Sequence, residues 1–193
     1  MTIILEHICK SYQGITVLDD FNAQIEDDRC YAFIGPEGCG KSTILKIFMG
    51  DLKPDSGKVS RMGDYKYPTL QSAFVSSEDD LRPRKNAIWH VTKADRTIKK
   101  ENAMEELSLF FTVDEMKLPS KELTTAQKQL VKIVRAMFLH ADFIVLDEPF
   151  LGMNESQRLM ARDYILKKRG RRPLLIASRT EDDLEFARKI QIS

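Results

Sequence analysis

An α/β fold built around a largely parallel sheet is what this sequence predicts, and three observations predict it. Continuous apolar runs of strand length occur at 30–34, 143–146 and 174–177, as in strands buried on both faces. Between them lie segments whose apolar residues recur at helical spacing, at 43–49, 125–139 and 155–168. A glycine-rich turn, 35–40, joins the first of these runs directly to the first of these helices. Strands that alternate with helices in this way assemble into a parallel sheet flanked by helices.

In chain order, 2–8 is apolar and partly alternating and 21–25 alternates, so both are expected strands. The buried strand 30–34 stops at Gly35-Pro36, and the helix 43–49 stops at Gly50, a natural C-cap. Pro54-Asp55-Ser56-Gly57 reads as a turn, with further strands at 58–62 and 72–76. From about 78 to 122 the chain is polar and helical, most clearly over 98–111, and reads as a helical insert in a single domain spanning 1–193. An amphipathic helix at 125–139, a strand at 143–146, a helix at 155–168, a strand at 174–177 and a last helix at 181–189 complete the expectation.

Composition narrows the function classes. Of 193 residues 42% are hydrophobic, enough for a buried core, and the 31% that are charged nearly cancel to a net +1. A nucleic-acid coat needs a basic excess, so no direct nucleic-acid partner is expected. The basic clusters at 82–85, 128–135 and 167–172 read as solvated surface. The three cysteines, Cys9, Cys30 and Cys39, are odd in number and form no Cys-x-x-Cys pair, which points to a reducing compartment rather than a disulfide or zinc framework. No basic leader opens the sequence, and no run approaches the roughly 18 apolar residues of a membrane span. Any service to a membrane is therefore expected from its cytoplasmic face, through a partner.

Chemistry concentrates in two places. Gly35-Pro36-Glu37-Gly38-Cys39-Gly40-Lys41-Ser42-Thr43 has the form G-x-x-x-x-G-K-[ST] and stands between an expected strand and an expected helix, the context that pattern requires. Its glycines let backbone N–H groups curl around phosphates, and the helix that follows points its positive end at the same anions. Lys41 reaches the outer phosphates of ATP as a mobile charge, and Ser42 offers a hydroxyl to Mg²⁺. The second place is Phe143-Ile144-Val145-Leu146-Asp147-Glu148-Pro149, where an apolar strand delivers two carboxylates at its C-terminal end, the end at which open α/β sheets hold ligands. Asp147 is the candidate for holding Mg²⁺, directly or through water, and Glu148 the candidate for polarising the attacking water.

The two motifs together resemble the nucleotide-binding domain of ABC transporters, and further residues follow in that family's order across nearly the whole chain. Tyr12 stands where the family has an aromatic that stacks on adenine; the alternative is a strand-edge aromatic. Leu123-Thr124-Thr125-Ala126-Gln127 stands where the family has Leu-Ser-Gly-Gly-Gln, and Asp147-Glu148-Pro149-Phe150 resembles its second motif. The resemblance implies an α/β P-loop NTPase fold of ABC-ATPase type, with the early strands as its antiparallel β subdomain and 78–122 as its helical insert. It also implies an ATPase that works as a dimer, each ATP clamped between the phosphate loop of one chain and the Thr124 region of another. A transmembrane permease is the implied partner, touched mainly by the 78–122 insert, with the chain peripheral at the inner face of the membrane. The Gly-Cys-Gly-Lys-Ser-Thr and Glu-Pro-Phe runs look most like importers of nitrate, sulfonates and taurine.

Departures from that family fall on its catalytic loops. Thr125 and Ala126 replace the two signature glycines, which should hinder close approach to a phosphate. Ser77 stands where a glutamine senses Mg²⁺ and water, Arg179 where a histidine follows the 174–177 strand, and Asn154 where an aspartate closes the loop after the second motif. Glu37 puts an acid into the phosphate loop. Groups that bind nucleotide are kept and groups that position water are altered, so the expectation is retained ATP binding with weak turnover. A non-hydrolysing subunit that needs an active partner chain is the alternative.

Overall fold

Gln13 and Gly14 take positive φ, 50° and 83°, and make the two-residue turn that folds β1 (Thr2–Tyr12) onto β2 (Ile15–Glu26). The structure, a computed structural model, describes residues 1–62 and 70–192. By their internal contacts they form two units, Met1–Ser72 with Ala141–Asp147 and Gly170–Ser193, and Ala73–His140 with Glu148–Arg169.

In the first unit, β1 lies between β2 and β4 (Ser56–Met62) in an antiparallel sheet. Both long strands outrun their expected lengths. Register shifts between Leu5 and Ile8, Ile8 and Lys10, and Lys10 and Ser11 interrupt the alternation by which a strand is recognised. Beside this sheet in the same unit, β3 (Cys30–Ile34), β6 (Phe143–Asp147), β7 (Leu174–Ser178) and β8 (Arg188–Gln191) run parallel in the order β6-β7-β3-β8. Every residue of β3 and β6 is buried, which is why both read as continuous apolar runs. The helix α1 (Lys41–Met49) packs on β7 and β6 through Ile44, Leu45, Ile47 and Phe48. Arg61 closes its far end, with Nε donating to Phe48 O at 3.1 Å and Nη2 to Ile47 O, a cation placed at the negative pole of the helix.

The expected helix over 181–189 is not formed. Asp183 sits at φ 60°, a left-handed geometry that no helix interior accepts, and 188–191 is instead the edge strand β8 on β3. Leu184 and Ala187 are both buried, three residues apart, and with Ile190 the spacing imitates a helical stripe. Here the hydrogen-bonding demand of the β3 edge outweighs the local pattern.

The strand β5 (Ser72–Val75) leads into the second unit. That unit holds α2 (Ala87–Thr92), α3 (Lys100–Leu107), α4 (Thr125–Phe138) and α5 (Glu155–Lys168), with 3₁₀ turns at Glu115–Lys117 and Ser120–Glu122. The longer helix expected over 98–111 shrinks to α3, because Phe110 and Phe111 turn back on Leu107 and Phe110 meets Tyr164 edge-on with ring centroids 5.2 Å apart. Buried His90 ties α2 down: its Nε2 lies 2.9 Å from Ser120 Oγ, which donates to Lys85 O at 2.6 Å.

The basic stretch 128–135 is also not the solvated face the sequence suggested. Lys132 is 1% exposed, and its ammonium donates to Ser76 O at 2.7 Å and Glu78 O at 2.8 Å. Lys128 and Arg135 on the same helix pair with Asp79 at 2.7 Å and Asp80 at 2.5 Å. Three cations of α4 thus hold the segment 76–80, and burial pushes the Lys132 ammonium below its ordinary pKa.

Candidate functional site

Three neighbouring parallel strands end at the same level in the first unit. Ile34 of β3 is in register with Ser178 of β7, and Asp147 of β6 with Ala177 of β7. The residues that leave these ends are the phosphate loop after β3, the carboxylate of Asp147 and the Arg179 side chain. The Gly35 N–H donates to Ser178 O at 3.3 Å, so the loop starts fastened to the strand that carries Arg179.

The loop needs glycine at 35 for space and at 40 for geometry. A Cβ on Gly35 would lie 2.3 Å from Ile192 O, and Gly40 caps α1 at φ 100°. The same Gly40 abuts Val17 of β2, where an added Cβ would come within 2.8 Å of Cγ1, so the β1–β2 hairpin closes on the loop. Tyr12, at the end of that hairpin opposite Ile15, is 44% exposed, with the Lys10 ammonium 5.6 Å from its ring centre. Its exposure leaves ring surface open for stacking.

Inside the loop, Lys41 is only 6% exposed and its Nζ donates to Gly35 O at 2.7 Å and Pro36 O at 2.8 Å. The ammonium is held by loop carbonyls, within the curve where phosphates are expected. Ser42 Oγ donates to Asp147 Oδ2 at 2.8 Å, and Asp147 is buried. One hydroxyl and one carboxylate, both hard oxygen donors, fit Mg²⁺, which keeps water and substrate oxygens as its other ligands. At the rim, Arg179 Nη2 meets Glu37 Oε2 at 3.1 Å. The structure therefore brings Gly35, Pro36, Glu37, Gly38, Cys39, Gly40, Lys41, Ser42 and Thr43 together with Asp147 and Arg179.

The remaining sequence-derived candidates lie in the second unit. Thr124 caps α4, its Oγ1 accepting from Gln127 N at 3.2 Å while Gln127 Oε1 accepts from Thr124 N at 3.0 Å. Leu123 and Ala126 are buried, and Gln127 also donates to Glu115 Oε1 at 3.0 Å. Thr125 is exposed and faces Gly152, where an added Cβ would lie 3.1 Å from Thr125 Cβ. The bulk gained at Thr125 is thus accommodated by a residue without a side chain. Asn154 makes the same reciprocal cap for α5 with Gln157, at 2.9 and 3.1 Å. Ser77 lies between the two carbonyls that grip Lys132. Glu148 stands at φ 47°, rare for a residue with a side chain, and its carbonyl accepts from Leu151 N at 3.2 Å and Gln129 Nε2 at 3.3 Å.

Sequence reasoning missed Gln129, Lys132 and Gly152. The first two carried a signal: they are polar residues on the buried face of α4 among Ala126, Leu130, Ile133 and Val134. The Gln129 Oε1 is buried with no hydrogen-bond partner, so its amide is held at Glu148 without full satisfaction elsewhere.

Comparison with known proteins extends the resemblance. The family profile described as ABC transporter matches residues 18–151. A ribose import ATP-binding protein from Hahella chejuensis is 28% identical over 210 residues, covering 97% of this chain. This chain spans 41% of that protein's length. An aliphatic sulfonates import ATP-binding protein from Rhodococcus jostii is 30% identical over 182 residues, covering 93% of this chain and 74% of the relative. Among solved structures, a dimeric ATP-binding cassette in a post-hydrolysis state, bound to ADP and phosphate, superposes with a TM-score of 0.81 at 22% identity. It covers 99% of this chain and 94% of its own, and it shows the same fold.

Proposed function

The chain belongs to the ABC transporter family, and from that premise we propose that it is an ATP-binding subunit that couples ATP binding and weak hydrolysis to solute movement through a permease. The observation that carries this reading is the Ser42–Asp147 hydrogen bond of 2.8 Å beside the loop-held Lys41 ammonium. The candidate metal-ligand pair and the candidate phosphate cation thus stand at the C-terminal ends of β3 and β6, with β7 between them.

In this reading the loop N–H groups and the positive end of α1 receive the phosphates, Lys41 moves from loop carbonyls to the outer phosphate oxygens, and Tyr12 stacks on the adenine. Bound Mg²⁺, held through Ser42 and Asp147, supplies charge neutralisation at the outer phosphates. Glu148 orients the attacking water and accepts its proton. The N-terminus of α4, with Thr124 as its cap, faces the terminal phosphate held by a second subunit. The permease contact falls on the 78–122 segment, where Trp89 carries Arg82 and Lys85 over its ring at 5.2 and 5.4 Å. No described helix is long and apolar enough to cross a membrane.

A second reading, a subunit that binds ATP and leaves hydrolysis to a partner chain, is favoured by Thr125, Ala126, Ser77 and Arg179 at positions that line up water and close the dimer. ATP binding and steady-state phosphate release with Mg²⁺, beside Lys41→Ala and Glu148→Gln, test both. Binding lost in Lys41→Ala and turnover lost in Glu148→Gln are expected. Binding with no turnover above the Glu148→Gln background would select the second reading. A protein indifferent to ATP in both forms would remove the proposal.

A further inference from the structure

The phosphate loop carries its own negative charge, and that charge is answered from the next strand. Glu37 lies two residues past Gly35, and Arg179 one residue past Ser178. The Gly35–Ser178 backbone hydrogen bond of 3.3 Å fastens the two segments immediately before the pair. The 3.1 Å contact between Arg179 and Glu37 is therefore made by side chains on short, fixed tethers. The side chains are 51% and 80% exposed. An exposed carboxylate–guanidinium pair is worth at most about fivefold in an equilibrium constant, so it exchanges readily. The neighbouring groups differ. Lys41 and Asp147 are buried and held by the loop carbonyls and by Ser42.

We propose that the Glu37–Arg179 pair is a charge latch over the phosphate loop, opened by the terminal phosphate of a nucleoside triphosphate. The pair thereby sets how strongly the site prefers triphosphate to diphosphate. This rests on the reading of the loop as an ATP site. A terminal phosphate bears up to two negative charges and presents oxygens in the spacing of the guanidinium fork. It outcompetes a solvated carboxylate for Arg179. With a diphosphate the competitor is absent, Arg179 stays on Glu37, and the acid in the loop remains neutralised. Glu37 thus opposes triphosphate binding by holding back the cation that triphosphate needs. Arg179 favours it.

The test is the ratio of ATP to ADP affinity, measured by equilibrium binding of fluorescent ATP and ADP with Mg²⁺. It uses the full chain, Glu37→Gln, Arg179→Gln and the double variant, each checked for an unchanged melting temperature. Glu37→Gln is expected to raise the ratio about threefold, since one competitor of ordinary surface strength is removed. Arg179→Gln is expected to lower it about tenfold, the scale of one charged hydrogen bond. In the Arg179→Gln background the effect of Glu37→Gln on the ratio should vanish, because the guanidinium that Glu37 holds back is gone. A Glu37→Gln effect that is absent, or that persists undiminished without Arg179, overturns the latch. Lys41→Ala separates the two levels. If the native chain binds ATP and Lys41→Ala does not, an insensitive ratio removes only the latch. If the native chain binds neither nucleotide, the ATP reading falls and the latch with it.

Discussion

At the scale of single residues, the catalytic candidate is shaped by a neighbour that is itself not reactive. Glu148 holds φ at 47°, and backbone of this kind in a non-glycine residue costs about 1–3 kcal/mol and persists only where the surroundings impose it. Gln129, 1% exposed, is one of the groups that impose it, through its amide on the Glu148 carbonyl. Gln129→Leu keeps the approximate volume and removes that bond. Single-turnover hydrolysis should fall about tenfold with ATP affinity unchanged, as for a contact that serves geometry rather than binding. Equal losses in both would mark Gln129 as a general packing residue. The phosphate loop and the Asp147-Glu148 pair were legible from the sequence because glycine, lysine and carboxylate at fixed spacing have few other uses. Gln129 was not legible in the same way. Its place among the apolar positions of α4 marks it as buried, but its bond to the Glu148 carbonyl depends on how the chain folds.

At the scale of elements, α2 is a helix of six residues, too short to persist by itself, and tertiary anchors hold it. One is His90. Burial lowers its pKa first, the Arg82 carbonyl opposes that shift, Arg135 and Arg82 reinforce it, and Asp80 opposes it again. With the native pKa below the unfolded value of 6.5, the unfolded chain binds more protons in that range. The stabilisation is therefore complete above about pH 6.5 and is lost as pH falls through the native pKa. The melting temperature should decline from pH 7 to 5, and His90→Gln should flatten that part of the curve. An identical slope in the variant would mean that another group governs it. Elements were legible where burial is two-sided or the apolar stripe is long, as in β3, β6 and α4. They were misread where a parallel edge strand borrowed helical spacing, as at 181–189, and where bulges broke the alternation of β1.

At the scale of the whole molecule, ligand binding and stability are one quantity. ATP with Mg²⁺ at about 100 times its dissociation constant should add about 2.7 kcal/mol to the folded state. For a chain of this size that is about 5–10 °C in melting temperature. Lys41→Ala should show no such rise, and a scan of both proteins with and without nucleotide decides it. The sheet order has a consequence of another kind, for biogenesis. β3, which delivers the phosphate loop, is flanked in its sheet by β7 and β8 alone, and Ile34 and Leu174 are 140 positions apart in the chain. On a ribosome adding about 5–20 residues per second, the five apolar residues of β3 wait roughly 7–28 s for the first strand that can cover their edge. Throughout that interval the nascent chain presents a sticky, unpaired segment to chaperones and to other chains being made beside it. The loop gains its rigid footing only once Leu174–Ser178 has been made, so nascent chains shorter than that have no assembled site with which to draw on the cell's ATP.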